Sequence, residues 1–193
     1  MILDVKRIKI AEIFLLKPEI KITASQIAKD KKLNQKSTSL ILDDLETKLI
    51  LKSEAQGKNK LFYLNKENPE TIKQYLCAIE HLRTLIFYEE NTKIKIIIEK
   101  INPYLKGTAI IFGSYAKGTQ KETSDLDIYL LGKHDFEEIN KISKTYNIDI
   151  NIKEQKKLEI NTITKEIIKN HIIIKNTETF INTLQNTLFF ERT

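Results

Sequence analysis

The 193-residue chain has one cysteine, no tryptophan, three prolines and five glycines. A lone Cys77 excludes an internal disulfide framework and any metal site built from several thiolates, and it points to a reducing compartment. Scarce Gly and Pro exclude collagen-like and low-complexity classes, and abundant Ile argues against intrinsic disorder. Apolar runs such as residues 96–98 and 172–174 fall far short of the ~20 residues that cross a bilayer, so no membrane partner is expected. Lys6, Arg7 and Lys9 interrupt the first apolar stretch, which is unlike a secretory signal, and the expected location is cytoplasmic. His81, His134 and His171 are far apart and show no metal-ligand spacing, so they are read as structural or surface residues.

What is present is charge, unevenly placed. Residues 1–66 carry 14 Lys and Arg against 8 Asp and Glu, which accounts for the whole net charge of +6. Residues 67–193 carry 18 of each and balance. A basic folded segment joined to a neutral one implies a polyanion-binding module attached to something with another task.

Val5, Ile8, Ala11 and Leu15 recur at helical spacing, and Pro18 is expected to stop that helix. Thr23 or Ser25 can cap a short second helix through Ala28, and Asn34 a third running to about Leu49, with Ile41, Leu42, Leu45 and Leu49 on its buried face. Residues 50–55 and 60–64 then read as strands joined by a turn at 56–59. Three helices followed by a basic-tipped hairpin resemble the winged helix-turn-helix domains that bind DNA. That resemblance implies Gln35, Lys36 and Ser39 on the recognition helix and Lys58 and Lys60 on the wing as DNA-facing residues, with Asp43 and Glu46 nearby as repulsive charges.

A second helical pattern starts at Pro69, with Ile72, Tyr75, Leu76, Ile79, Leu82 and Ile86 on one stripe. It resumes after Asn91 with Ile94, Ile97, Ile98 and Ile101, and Asn102-Pro103 closes it. These helices are expected to connect the two modules, their Ile and aromatic stripes forming core.

Residues 108–131 carry the chemistry. An apolar strand, 109–112, runs into Gly113-Ser114; after ten intervening residues Asp125-Leu126-Asp127 opens a second apolar strand, 128–131. Gly113 permits unusual dihedrals and a close approach to a ligand, and the Ser114 hydroxyl with the following amides can donate to phosphate oxygens. Residues i and i+2 of a strand share a face, so Asp125 and Asp127 project side by side. Two adjacent carboxylates repel each other unless a cation neutralises them, and hard oxygen ligands suit Mg2+ or Mn2+. Asp149, in the alternating stretch 146–152, supplies a third acid on a further strand.

The ordered set of Gly113-Ser114, Ser124-Asp125-Leu126-Asp127 and the later strand acid Asp149 resembles the nucleotidyltransferase superfamily of DNA polymerase beta, most closely its minimal prokaryotic members. The resemblance covers residues 108–152. It implies that Gly113 and Ser114 hold a triphosphate, with Lys117 standing where many relatives carry Arg. It implies that Asp125 and Asp127 bind the metal ions, and that Asp149 is the third catalytic carboxylate, binding the metal and helping to deprotonate the attacking hydroxyl. The implied reaction is in-line attack of a hydroxyl on the alpha-phosphate of a nucleoside triphosphate, ATP by expectation, with cations about 3.5–4 Å apart stabilising the entering and leaving oxygens.

After Ile152 a helix over about 155–169, a short run 171–174 and a helix from 176 or 177 to Phe190, with Phe180, Ile181, Leu184 and Leu188 buried, complete the expected chain. The expected fold is α+β: a winged helix-turn-helix at 1–66, connecting helices at 67–103, and a small nucleotidyltransferase-fold α/β domain with a short mixed sheet at 104–193. The expected function is transfer of a nucleoside monophosphate to a protein or small-molecule hydroxyl. Small members of the resembled family include antitoxins that modify a partner toxin, a use consistent with a module that represses its own operon. The alternative is a DNA-binding regulator whose nucleotidyltransferase-like domain senses nucleotide without turnover. A homodimer is compatible with either.

Overall fold

The computed structural model describes residues 5–17, 19–159 and 162–185. The expected stop at Pro18, the side chain of Leu15, and the last helix beyond Gln185, including Leu188 and Phe190, lie outside the described residues. The described chain divides into two compact units, residues up to Leu82 together with Leu184 and Gln185, and Arg83–Thr183. Segment 67–103, expected as a connector, is therefore shared between the units.

In the first unit, α1 (Val5–Leu16), α2 (Ala24–Lys31) and α3 (Gln35–Thr47) precede a hairpin of β2 (Leu51–Gln56) and β3 (Asn59–Leu64), and the two-residue strand β1 (Ile22–Thr23) pairs with β3. The sheet is antiparallel throughout, in the order β1-β3-β2, with Leu51 opposite Leu64 and Gln56 opposite Asn59. Local chemistry sets the helix starts. The Thr23 hydroxyl accepts from the Gln26 amide while the Gln26 side chain accepts from the Thr23 amide, a reciprocal cap. Asn34 Oδ1 accepts from the Ser37 amide at the head of α3. Ile10, Ile27, Leu42, Leu45 and Phe62 are buried.

Leu49, expected on the buried face of α3, is 57% exposed. The helix ends at Thr47, and Leu49 adopts φ 60. The Leu49 amide donates to Glu46 and the Ile50 amide to Leu45, which is the hydrogen-bond signature of a left-handed helix stop. That conformation turns Leu49 outward and delivers Ile50, 4% exposed, in its place.

The second unit holds a four-stranded mixed sheet in the order β6-β5-β4-β7, formed by β4 (Leu105–Ile111), β5 (Leu126–His134), β6 (Ile150–Gln155) and β7 (Ile172–Lys175). β4 is antiparallel to β5 and β7; β5 and β6 are parallel and joined through α7 (Phe136–Tyr146). The end of α4 (Pro69–Glu90) and α5 (Thr92–Ile101) contribute Phe87, Ile94, Ile97, Ile98 and Ile101 to the same core as Leu126, Ile128, Leu130 and Ile139. A short helix α6 (Gly113–Lys117) follows β4, and α8 (Thr162–Lys169) and α9 (Thr177–Gln185) flank β7. A helix was expected to begin near residue 155, but Gln155 is the last residue of β6, paired with Leu131. The nine-residue β5 offers partners that far, and the polar run Lys153-Glu154-Gln155 hides the strand because it does not alternate.

Candidate active site

Three chain segments meet at one end of this sheet because of strand direction alone. β4 finishes where β5 begins, Ile111 facing Ile128, and parallel β6 begins beside β5, Leu126 facing Ile150. Backbone bonds pin the junction: the Phe112 amide donates to Asp127 O, and the Leu126 amide to Asp149 O. Leu126 and Ile128 are fully buried, which turns Asp127 to the opposite face, half-buried, with Asp125 exposed at the strand mouth. The bend after β4 is held by Gly113 at φ 70.

The bend and the acid are in contact. A Cβ on Gly113 would lie 2.4 Å from Asp127 Oδ2, so a side chain there would push the carboxylate aside. On the other side, Asn151 Nδ2 lies 3.2 Å from Asp125 Oδ2 and 3.5 Å from Asp127 Oδ1. One amide thus reaches both carboxylates. This donor set suits a hard divalent ion such as Mg2+, which typically uses one or two carboxylates and completes its shell with water and substrate phosphates.

Asp149 does not complete a three-acid cage. Among the described residues no group of three His, Cys, Asp or Glu side chains is placed to hold a metal ion. The register explains this: Asn151, not Asp149, stands beside Asp127. Asp149 is exposed and immediately precedes β6, two residues before Asn151, while Ile148, Ile150 and Ile152 contact the core.

Lys117 is engaged. Its Nζ lies 2.8 Å from Glu166 Oε1, both side chains being 43% exposed, and this hydrogen bond holds the Glu166 carboxyl below its ordinary value. A second cation that sequence reading missed lies beside the bend: Lys153 Nζ sits 5.6 Å from the ring centroid of Phe112, the residue before Gly113. Its signal in the sequence was its parity with Asn151 and Asp149 on one strand. A groove of about 600 Å³, bordered by Asp127, Asn151, Lys153, Asn140, His134 and Phe136, lies along β6. His134 Nδ1 is 2.7 Å from Glu154 Oε1, and His171 is buried with Nδ1 3.0 Å from Ile167 O, so both have structural partners.

In the first unit, Gln35, Lys36 and Lys58 are exposed and Ser39 is partly so. Lys60 is not a free cation: its Nζ lies 2.9 Å from Asp43 Oδ1 and 2.6 Å from Glu46 Oε2. One cation thus partners both acids expected to repel a polyanion, leaving the trio with a net charge of −1.

A sheet end bearing a glycine bend against one member of an acid pair is the layout expected from the resemblance to nucleotidyltransferases. The nucleotidyltransferase domain family model matches residues 84–183, just over half of the chain. The chain belongs to this family and is a nucleotidyltransferase. It is similar to a crystal structure of a toxin-antitoxin with AMP-PNP, at 19% identity over 50% of this chain and 82% of that one, TM-score 0.38. It is also similar to MepR, a transcription regulator of the Staphylococcus aureus multidrug efflux pump MepA, at 15% identity over 52% of this chain and 78% of that one, TM-score 0.35. No curated protein sequence matches the chain significantly. Among the described residues no helix is long and apolar enough to cross a membrane.

Proposed function

We propose that the second unit transfers a nucleoside monophosphate, AMP from ATP, to a hydroxyl of a protein or small molecule. The observation that carries this reading is the pair Asp125 and Asp127, aimed at one shared donor while Gly113 presses against Asp127. A Mg2+ or Mn2+ ion held by this pair supplies charge neutralisation for the triphosphate and the departing pyrophosphate. Gly113 and Ser114 bring the backbone of the bend and a hydroxyl against the phosphates. Lys117 reaches them by leaving Glu166, an exchange that costs little because the pair is exposed. Asp149, just before β6 and bonded through its carbonyl to the Leu126 amide between the two acids, accepts the proton of the attacking hydroxyl. The groove along β6 admits the acceptor beside Asp127.

The first unit acts as a winged helix-turn-helix that binds DNA through Gln35, Lys36, Ser39, Lys58 and Lys60. Its element order and the confinement of the net positive charge to residues 1–66 support this. The two activities together fit an antitoxin that modifies a partner toxin and represses its own operon, working as a homodimer in the cytoplasm.

The test is label transfer from α-labelled ATP with Mg2+ to a co-expressed partner protein. Transfer should be lost in Asp125→Asn and Asp127→Asn, and Asp149→Asn should lose transfer while still binding nucleotide. Nucleotide binding with no transfer to any acceptor would leave a nucleotide-sensing regulator instead. A DNA mobility shift that weakens with salt and is lost on reversing Lys36 and Lys58 tests the first unit.

A further inference from the structure

Asp127 Oδ1 faces the Asn151 amide, and its Oδ2 lies over Gly113, where the absence of a side chain leaves it room. The same amide reaches Asp125 Oδ2, so one uncharged donor lies between two carboxylates that would otherwise turn apart. Parallel pairing makes this placement a property of the backbone, because Asn151 is the register partner of Asp127 and its side chain emerges on the same face.

We infer that Asn151 is a positioning residue of the cation site. It keeps Asp125 and Asp127 aimed at a common point and, being neutral, leaves the site two negative charges rather than three. Such a site binds a divalent ion weakly by itself and well together with a triphosphate, so cation and nucleotide enter as a unit. This inference rests on reading Asp125 and Asp127 as the cation ligands.

Mn2+ binding to the full chain, followed by electron paramagnetic resonance with and without a non-hydrolysable ATP analogue, tests it. Asn151→Leu should weaken Mn2+ binding about tenfold, the lower end of the cost of removing a residue that orients metal ligands. Asn151→Asp should tighten Mn2+ binding without nucleotide, an effect that a merely structural role of the side chain would not produce. Asn151 is exposed, so both variants should stay folded in EDTA, Asn151→Asp melting lower there because a third carboxylate faces Asp125 and Asp127; Asn151→Ala is the second deletion should Leu disturb the strand. Unchanged Mn2+ affinity in a folded Asn151→Leu or Asn151→Ala protein, or weaker binding in Asn151→Asp, overturns this inference alone. No Mn2+ binding to the unaltered chain, with or without the analogue, overturns the acid-pair reading and this inference with it.

Discussion

Gly113 and Asp127 occupy adjoining space so closely that a single methyl group on the first would stand 2.4 Å from a carboxylate oxygen of the second. A side chain at the bend that would face phosphates therefore displaces the acid that would face a cation.

Replacing Gly113 by Ala should leave a folded protein that transfers label about a hundredfold more slowly, because a displacement near 1 Å at reacting groups has that scale of effect. The positive φ adds a cost of about 1–2 kcal/mol in stability for any non-glycine residue. Single-turnover transfer and chemical denaturation measure the two effects separately; full activity in Gly113→Ala would show that Asp127 need not hold its position.

Freeing Lys117 should help ATP bind. Glu166→Gln removes its partner, and the KM for ATP should fall by at most about fivefold, matching an upper value of about 1 kcal/mol for an exposed pair. Lys117→Ala should raise the KM instead. If both variants leave the KM unchanged, Lys117 has no phosphate role, and Lys153 beside Phe112 becomes the cation to substitute.

Leu49 is a stability reserve. It holds φ 60 at the end of α3 with a largely exposed side chain, where glycine is free of the steric cost. Leu49→Gly should stabilise the first unit by about 1 kcal/mol in urea unfolding. A loss of stability would mean that the exposed leucine makes contacts worth more than its backbone strain.

The caps at Thr23 and Asn34, the hairpin, the paired acids on one face and the glycine bend were legible because each depends on neighbours within a few residues. What escaped depends on the third dimension. Leu49 fits the helical stripe, and only the left-handed stop before Ile50 removes it from the core. Lys117 looks free along the sequence, but the fold brings Glu166 from α8 to meet it. Asp149 and Asn151 have the same parity, so alternation cannot decide between them; the β5–β6 register does.

The ion cluster between α3 and the β2–β3 hairpin carries a pH signature. Hydrogen bonds from Lys60 and then Ser53 hold the Glu46 carboxyl below its ordinary value, and Glu46 and Asp43 raise Lys60 in return. A depressed carboxyl contributes stability that is fully present above its unfolded value and is lost as pH falls through the folded one. Glu46→Gln should therefore be less stable than the unaltered chain at neutral pH, and the difference should vanish in acid. Denaturation from pH 7 down to pH 3 checks this; a difference that persists at pH 3 would mean that packing, not charge, is responsible.

Calorimetric titration of ATP into the chain, in Mg2+ and in EDTA, tests the acid pair most directly. Binding should be strong in Mg2+, much weaker in EDTA, and in Asp127→Asn it should be equally weak in both buffers. ATP affinity that ignores both the ion and the Asp127→Asn substitution would contradict a cation-mediated triphosphate site at this end of the sheet.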